Sequence, residues 1–166
     1  MNRIKPPFKY YGGKYYLANW ITSQFPEHST YVEPFGGAAS VLLNKSRCSK
    51  EIYNDLNDGI ACVMRCVRDD IDHFMEELHS IPCQEDVYYE WKSKEVTDDF
   101  QKSVKNFVVY RMSRAGTATT FSKSTRSYRG MPENESSWKS GIDNLKKVSE
   151  RLQNVEILSV DAFDLI

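Results

Sequence analysis

Hydrophobic and polar positions follow two different periods along the chain, and the change of period predicts an α/β fold. Short apolar runs at residues 31–33, 51–55 and 155–160 are typical of strands, and each ends on or is followed by an acidic residue. Residues 38–44, between the first two runs, are rich in helix-forming alanine and leucine. We therefore predict a strand–helix–strand unit, which implies parallel strands and a right-handed crossover.

Longer stretches with apolar residues three or four positions apart predict helices. The first is expected at residues 14–25, where a one-sided apolar stripe is formed by Leu17, Trp20, Ile21 and Phe25. Further helical stretches are predicted at residues 60–80, 101–113 and 136–152. Residues 116–130 are rich in serine, threonine, arginine and glycine, and they predict a loop or an irregular hairpin.

A long, mainly helical and polar stretch separates the last predicted strand from the first two. We expect that strand to join them in one parallel sheet, which gives only part of an ordinary doubly wound sheet. The predicted fold is therefore α/β, with a partial Rossmann-like sheet. The predicted core covers residues 1–58 plus 153–166, and the helical insert covers residues 59–152.

Composition fits this picture, because 166 residues with 40% hydrophobic and 13% aromatic content suit one domain with a real core. No apolar run reaches the roughly 18 residues of a membrane span, and the N-terminus has no apolar signal core. We expect a cytoplasmic protein with no membrane contact. The four cysteines form no CxxC pair, so we expect no metal site.

The net charge of −1 conceals a split between two neighbouring stretches. Residues 66–99 carry eleven acidic residues against three basic ones, whereas residues 101–132 carry seven basic residues and no acidic one. A neutral chain with one basic stretch favours a local contact with a polyanion. A solvated basic face that answers the acidic stretch is the alternative, and charge alone does not decide between them.

The segment YVEPFGGAAS at residues 31–40 places adjacent glycines directly after the first predicted strand. Ligands of open parallel sheets bind at the carboxyl ends of the strands, and a glycine turn lets the backbone approach them closely. Asp55, 18 residues after Gly37, could accept hydrogen bonds from both ribose hydroxyls of a nucleoside. The GxGxxG spacing is absent and Glu33 would repel a phosphate, which favours S-adenosylmethionine over a dinucleotide. A purely structural tight turn is the alternative.

Two other segments could complete a cofactor pocket. Gly12, Gly13 and Lys14 open the first predicted helix, where backbone amides and a lysine make a seat for a carboxylate. A capped surface helix is the alternative for that segment. Asp161, after the last predicted strand, could accept a hydrogen bond from an adenine amino group.

Three motifs in order resemble the Dam-type (D12 class) DNA adenine-N6 methyltransferases: Tyr10-x-Gly12-Gly13-Lys14, Val32-Glu33-Pro34-Phe35-x-Gly37-Ala38 and Asp55-x-Asn57. The resemblance covers nearly the whole chain. It implies a partial S-adenosylmethionine-dependent methyltransferase sheet with a helical target-recognition insert. The cofactor pocket that it implies is lined by Tyr10, Gly13, Lys14, Glu33, Pro34, Phe35, Gly37, Asp55 and Asp161.

The resemblance extends to residues 110–124, YRMSRAGTATTFSKS, which are similar to the DNA-contacting part of the family's insert. It implies double-stranded DNA as a partner, with contacts from Arg111, Arg114, Gly116, Thr117, Lys123, Arg126 and Arg129. Phosphate contacts would position the duplex, and loop side chains would contact bases. The chain departs from the family at two places. Ala39 stands where the family commonly has a second glycine. Residues 117–120 are small where relatives often have a bulkier side chain, so we assume no DNA recognition sequence.

The family transfers a methyl group to a poorly nucleophilic adenine nitrogen with the help of an Asp-Pro-Pro-Tyr type motif, acting on a flipped base. The only adjacent prolines here are Pro6 and Pro7, which follow a lysine that cannot accept hydrogen bonds. We therefore assign no catalytic residue. Three explanations stay open: a second polypeptide supplies an Asp-Pro-Pro-aromatic motif, the chain is truncated, or the protein is a non-catalytic DNA-binding regulator or decoy. We favour the first, with an isolated chain that is inactive.

Overall fold

The computed structural model describes residues 3–128 and 130–166. Its elements in chain order are α1 (Ala18–Thr22), β1 (Thr30–Glu33), β2 (Lys50–Asn54), α2 (Asp58–Asp69), α3 (Ile71–Ser80), α4 (Glu85–Ser93), α5 (Asp99–Met112), β3 (Ser127–Tyr128), β4 (Met131–Pro132), α6 (Glu133–Asp143), α7 (Leu145–Leu152), β5 (Val155–Leu158) and α8 (Ala162–Leu165). Short 3₁₀ turns lie at Leu42–Asn44 and Arg114–Gly116.

The three longer strands form one parallel sheet in the order β1-β2-β5. Val32 lies opposite Ile52, and Tyr53 lies opposite Ile157, so β2 is the central strand. The predicted α/β class and the predicted parallel sheet are confirmed. Because all three strands run in one direction, their carboxyl ends meet at one edge of the sheet.

The predicted helix at residues 38–44 is wrong, because the connection from β1 to β2 contains only the 3₁₀ turn at Leu42–Asn44. Ala39 has a left-handed backbone with a φ of 56°, which interrupts any helix at that point. The side chain of Glu33 accepts a hydrogen bond from the amide of Leu42 at 2.9 Å, which fixes the turn instead.

The predicted helix at residues 14–25 is much shorter in the structure, where α1 contains five residues. Leu17 and Trp20 of the predicted apolar stripe are 52% and 65% exposed, and only Ala18 of the helix is buried. The hydroxyl of Ser23 donates to the carbonyl of Trp20 at 2.7 Å, which competes with continuation of the helix.

The remaining helices follow the predictions with two interruptions and one addition. The stretch 60–80 is divided at Asp70 into α2 and α3, and the stretch 136–152 is divided at Asn144 into α6 and α7. Helix α4 was not predicted. Helix α5 is confirmed. The stretch 116–130, predicted as a loop or an irregular hairpin, contains β3, and its antiparallel partner β4 begins just after it at Met131.

One continuous hydrophobic core joins the sheet to the helices. It includes Tyr53 of β2 and Val155 of β5 together with Phe107, Trp138 and Leu152 of the helices. Helix α2 packs against α5, α7 and β5, so it lies between the sheet and the other helices. The division into a sheet core and a separate helical insert stays a prediction. In the described part of the chain, no helix has both the length and the apolar character of a membrane span.

A buried ionic cluster joins the central strand β2 to helix α7. Glu51 of β2 accepts from Lys45 Nζ at 2.6 Å and from both terminal nitrogens of Arg151 at 2.7 and 2.9 Å. All three residues are buried. The two cations hold the pKa of Glu51 below its usual value, against the effect of burial, which raises it.

Candidate functional site

The carboxyl ends of all three parallel strands are tied together by one buried side chain, Asn54. Its amide nitrogen donates to the carbonyl of Pro34 at 2.9 Å and to that of Val160 at 3.0 Å. Its oxygen accepts from the amide of Val160 at 2.9 Å. Asn54 therefore fixes the ends of β1, β2 and β5 relative to one another, and it defines the floor of the candidate site.

The glycine turn after β1 is bonded to the end of β2 through Asp55. The Oδ2 of Asp55 accepts from the amide of Gly37 at 2.7 Å, and its Oδ1 accepts from the amide of Asn57 at 2.9 Å. Each carboxylate oxygen has two lone pairs, so each keeps one further acceptor position. The predicted neighbours Gly37 and Asp55 are thus brought into direct contact, with capacity left for ribose hydroxyls.

The turn needs glycine at both of its glycine positions. A Cβ on Gly36 would collide with the ring of Tyr53, and Gly37 has a φ of 49°. The hydroxyl of Tyr53 donates to the carbonyl of Gly37 at 2.6 Å. Ala39 has a left-handed backbone with a φ of 56°, a conformation that glycine adopts with less strain than alanine.

Glu33 lies beneath the turn and takes part in closing it. Its Oε2 accepts from the amide of Leu42 at 2.9 Å and from the hydroxyl of Tyr31 at 3.0 Å. Burial raises the pKa of Glu33 to about 7, although both hydrogen bonds and the nearby cations lower it. Glu33 is therefore a structural part of the turn whose charge changes near neutral pH.

The N-terminal segment crosses the glycine turn at Tyr10. The Tyr10 ring lies so close to Gly37 that a Cβ there would be 2.8 Å from the ring. Burial, followed by the charge of Asp55, raises the pKa of Tyr10. Gly13 also faces the turn, since a Cβ on it would lie 3.9 Å from Ser40 Oγ.

The prediction that a helix begins at Lys14 is wrong, so the predicted carboxylate seat does not lie at a helix N-terminus. Helix α1 begins at Ala18, and the amide of Leu17 donates to the carbonyl of Lys14 at 2.9 Å in a preceding turn. Lys14 Nζ donates to the carbonyl of Gly12 at 2.6 Å and is otherwise exposed. Lys14 can still offer a positive charge, but no helix dipole assists it.

Apolar rings flank the floor at both ends of the sheet edge. Phe35, after β1, is 79% exposed, and Phe163, after β5, is 91% exposed. Asp161 caps α8 by accepting from the amide of Phe163 at 2.9 Å. Exposed aromatic rings beside partly unused carboxylates fit a nucleoside with a flat base, so the residues present fit S-adenosylmethionine. Among the described residues, no group of metal-ligating side chains occurs.

The start of the predicted DNA-contacting segment lies against the N-terminal segment at Lys9 and Tyr10. Gly116 has a φ of 70°, and a Cβ on it would collide with the carbonyl of Lys9. Gly116 and Thr117 share a shallow pocket with Tyr10 and Tyr110. Arg114 is exposed, and its side chain forms no ion pair with another residue in the ranges 3–128 and 130–166.

The other predicted DNA-binding residues are dispersed. Arg111 lies near the end of α5, and its guanidinium donates to the carbonyl of Ser137 in α6. Lys123 forms an ion pair with Glu85 at 2.8 Å. Arg126 borders a small pocket at the hairpin. Arg129 lies outside the described residues.

Both alternatives for the basic stretch have support in the ion pairs. Lys102 pairs with Asp58 at 2.9 Å and with Asp99 at 3.4 Å, and the side chain of Lys105 donates to a backbone carbonyl at 2.6 Å. The ion pairs of Lys102 neutralise part of the basic stretch within the protein. Arg114, in contrast, is left available to an external anion.

Sequence reasoning missed three residues that shape this site. Asn54 and Tyr53 lie within an apolar run, where periodicity gives them no special signal. Tyr110 lies 5.6 Å from Tyr10 between ring centroids and accepts from the Asn57 side chain at 3.2 Å. Its position between two motifs depends on how α5 packs, which no local pattern gives.

Comparison with known proteins identifies the family of this chain. The family model of the D12 class N6 adenine-specific DNA methyltransferases matches residues 10–166. Type II methyltransferase M.MjaIII of Methanocaldococcus jannaschii is 29% identical over 98% of this chain and 64% of that protein. The DNA adenine methylase of Escherichia coli K12 is 30% identical over 64% of this chain and 38% of that protein.

Modification methylase StsI of Streptococcus sanguinis is 45% identical over 58 residues, which are 34% of this chain and 9% of that protein. The chain thus spans less than two thirds of the length of the relatives that it matches. The resemblance of its three motifs to the D12 class is nevertheless confirmed by a match over residues 10–166. This chain belongs to the D12 class of N6 adenine-specific DNA methyltransferases.

Proposed function

We propose that this chain forms the cofactor-binding and DNA-binding part of an enzyme that transfers a methyl group from S-adenosylmethionine to adenine N6 in DNA. The observation that carries the proposal is the junction of Tyr10, Gly37 and Asp55 at the carboxyl edge of the sheet. Three segments far apart in sequence converge there on one side of a glycine turn. S-Adenosylmethionine supplies the methyl group when it is bound.

Each cofactor residue has a proposed task. Asp55 accepts hydrogen bonds from the ribose hydroxyls through the lone pairs that Gly37 and Asn57 leave free. Phe35 offers an exposed apolar ring, and Asp161 accepts from the adenine amino group through its second oxygen. The remaining proposed pocket residues are Gly13, Lys14, Glu33 and Pro34.

The DNA-binding task is proposed for the basic stretch of the insert at residues 59–152. Gly116 and Thr117 lie beside Tyr10, and Gly116 packs the loop onto the N-terminal segment. The exposed Arg114 belongs to the same 3₁₀ turn as Gly116. Phosphate contacts there would position the duplex so that a flipped adenine approaches the methyl group. Lys123, Arg126 and Arg129 would extend the contact along the hairpin.

The groups that act on the adenine amino nitrogen are proposed to lie on a second polypeptide with an Asp-Pro-Pro-aromatic motif. Within the described residues, β1 pairs only with β2, so one edge of β1 is open. An open parallel edge suits an added strand, and Phe35, two residues after the end of β1, offers an exposed apolar side chain. The 166-residue chain alone should therefore bind cofactor and DNA without methylating.

The test combines calorimetry with a methyl-transfer assay. S-Adenosylmethionine is titrated into the 166-residue chain, and transfer of labelled methyl to duplex DNA is measured with and without proteins that copurify from the source. We expect the chain alone to bind the cofactor without transferring methyl groups. We expect transfer when a copurifying protein with an Asp-Pro-Pro-aromatic motif is present. DNA binding with no detectable cofactor binding would overturn the enzyme proposal and favour a regulator or decoy.

A further inference from the structure

A positively charged cavity of about 420 Å³ lies between the N-terminal segment and helix α6. Three basic residues, Lys5, Lys9 and Arg111, form part of its wall, and no acidic residue is found among the described residues that line it. The rest of the wall is mostly tyrosine and serine, from Tyr10, Tyr15, Tyr16, Ser40, Ser137 and Ser140. The cavity is therefore rich in positive charge and in hydrogen-bond donors.

The guanidinium of Arg111 lies in the wall of this cavity. A Cβ on Gly141 would collide with the guanidinium, so the absence of a side chain there lets Arg111 cross α6. One nitrogen donates to the carbonyl of Ser137, whereas the buried Nε has no partner. No carboxylate of the described residues forms an ion pair with Arg111. Cations with little solvent exposure are normally paired in proteins, whereas the partly buried Arg111 has no such partner among the described residues.

The backbone that carries the two lysines is held firmly at the cavity mouth. The side chain of Asn144 donates to the carbonyl of Lys5 at 2.7 Å, and Gly116 packs against the backbone of Lys9. Phe8, between the two lysines, is fully buried. The lysine side chains are exposed, so they can close over a group that contacts the guanidinium.

We propose that this cavity is a phosphate-binding site, beside the cofactor pocket and sharing Tyr10 and Gly13 with it. A guanidinium presents its N–H groups as a planar fork that matches phosphate oxygens, and two lysines add point charges. Three positive charges suit a phosphate better than a single carboxylate. The phosphate can come from the backbone of bound DNA, in which case the site deepens the proposed function, or from free inorganic phosphate.

The first arm of the test uses inorganic phosphate and the 166-residue chain, without cofactor or DNA. Melting temperatures are measured against phosphate concentration, with chloride at matched ionic strength as reference. We expect a saturable rise for the wild type, a weaker rise for Lys5→Gln and Lys9→Gln, and none for Arg111→Gln. Lys147→Gln, an exposed lysine of α7 outside the cavity, should behave as the wild type. Because Arg111→Gln changes a buried group, the two lysine variants decide the result if it fails to fold.

The second arm measures affinity for unrelated duplex sequences over a range of salt concentrations. If the site takes a DNA phosphate, Lys9→Gln weakens binding equally for every sequence and reduces the salt slope by about 1, whereas Lys147→Gln does not. A saturable phosphate effect with unchanged salt slopes would support the site with free phosphate as its source. No saturable effect, or equal losses in Lys147→Gln, would overturn the proposal. Neither arm uses S-adenosylmethionine, so failure here is separate from failure of cofactor binding.

Discussion

The carboxylate of Asp55 accepts a hydrogen bond from the amide of Gly37 at 2.7 Å, across 18 residues of chain. This contact joins the turn after β1 to the end of β2, so each supports the geometry of the other. The same carboxylate orients the start of α2 through the amide of Asn57. A residue proposed to bind the ribose is thus also a structural link, and its two roles have to be separated by experiment.

We expect Asp55→Ala to weaken S-adenosylmethionine binding by roughly tenfold to a hundredfold, because hydrogen bonds to a charged acceptor contribute about 1.5–3 kcal/mol. Asp55→Asn keeps an acceptor for the Gly37 amide and should bind with intermediate affinity. Isothermal titration calorimetry measures both. Asp143→Ala, on the exposed end of α6, is the matched control. Equal affinities for Asp55→Ala and the wild type would remove Asp55 from the proposed pocket.

The carboxyl-edge site could be predicted because its signals are local. Strand-like runs end on acidic residues, and the adjacent glycines sit directly after the first of them. The contact between Gly37 and Asp55 follows once both strands are parallel neighbours. The motifs that resemble the D12 class occupy the same positions.

The parts that could not be predicted depend on contacts distant in sequence or on single backbone angles. Nothing in the sequence indicates that Ala39 has a left-handed backbone, and the composition of residues 38–44 therefore predicts a helix. The stripe with Leu17 and Trp20 has helical spacing, yet the described core offers it no apolar surface to cover. Asn54 links three strand ends through partners that are assembled only in the folded sheet.

Ala39→Gly should lower the free energy of unfolding much less than an alanine-to-glycine substitution at an equally buried position elsewhere. Both Ala39 and Ala61 are fully buried, so each substitution removes one buried methyl group. At Ala61, within α2, glycine adds about 1 kcal/mol of helix destabilisation. At Ala39, glycine relieves about 1–2 kcal/mol of left-handed backbone strain.

Urea unfolding should therefore give a smaller loss for Ala39→Gly than for Ala61→Gly, with a difference of about 2 kcal/mol in the free energy of unfolding. A small gain in stability for Ala39→Gly would fit equally well with relief of strain. Equal losses in the two variants would show that the backbone at residue 39 is not strained.

Glu51→Gln should strongly destabilise the protein, because it leaves Lys45 and Arg151 buried without a negative partner. Breaking a buried ion pair on one side costs about 3–5 kcal/mol. Glu156→Gln is the control, since Glu156 is exposed and lies 4.0 Å from Lys50. Exposed pairs contribute about 0–1 kcal/mol. Similar unfolding free energies for the two variants would contradict a structural role for the buried cluster.

Glu33 should make stability depend on pH in the direction opposite to that of an ordinary paired carboxylate. Burial raises its pKa in the folded protein from 4.5 to about 7. The folded state therefore keeps a proton on Glu33 over a range in which the unfolded state has released it. Its contribution is fully present below about pH 4.5, falls as the pH rises towards 7, and is constant above that.

Comparison with Glu33→Gln isolates this effect, since glutamine keeps an oxygen acceptor for the amide of Leu42 and the hydroxyl of Tyr31 but cannot ionise. The unfolding free energy of the wild type should fall relative to that of Glu33→Gln by about 3 kcal/mol between pH 4.5 and 7, because each pKa unit corresponds to about 1.4 kcal/mol. Urea unfolding at a series of pH values measures the difference. A constant difference would mean that Glu33 is charged beneath the turn throughout this range, and that its carboxylate is available to a positively charged amino group at every pH tested.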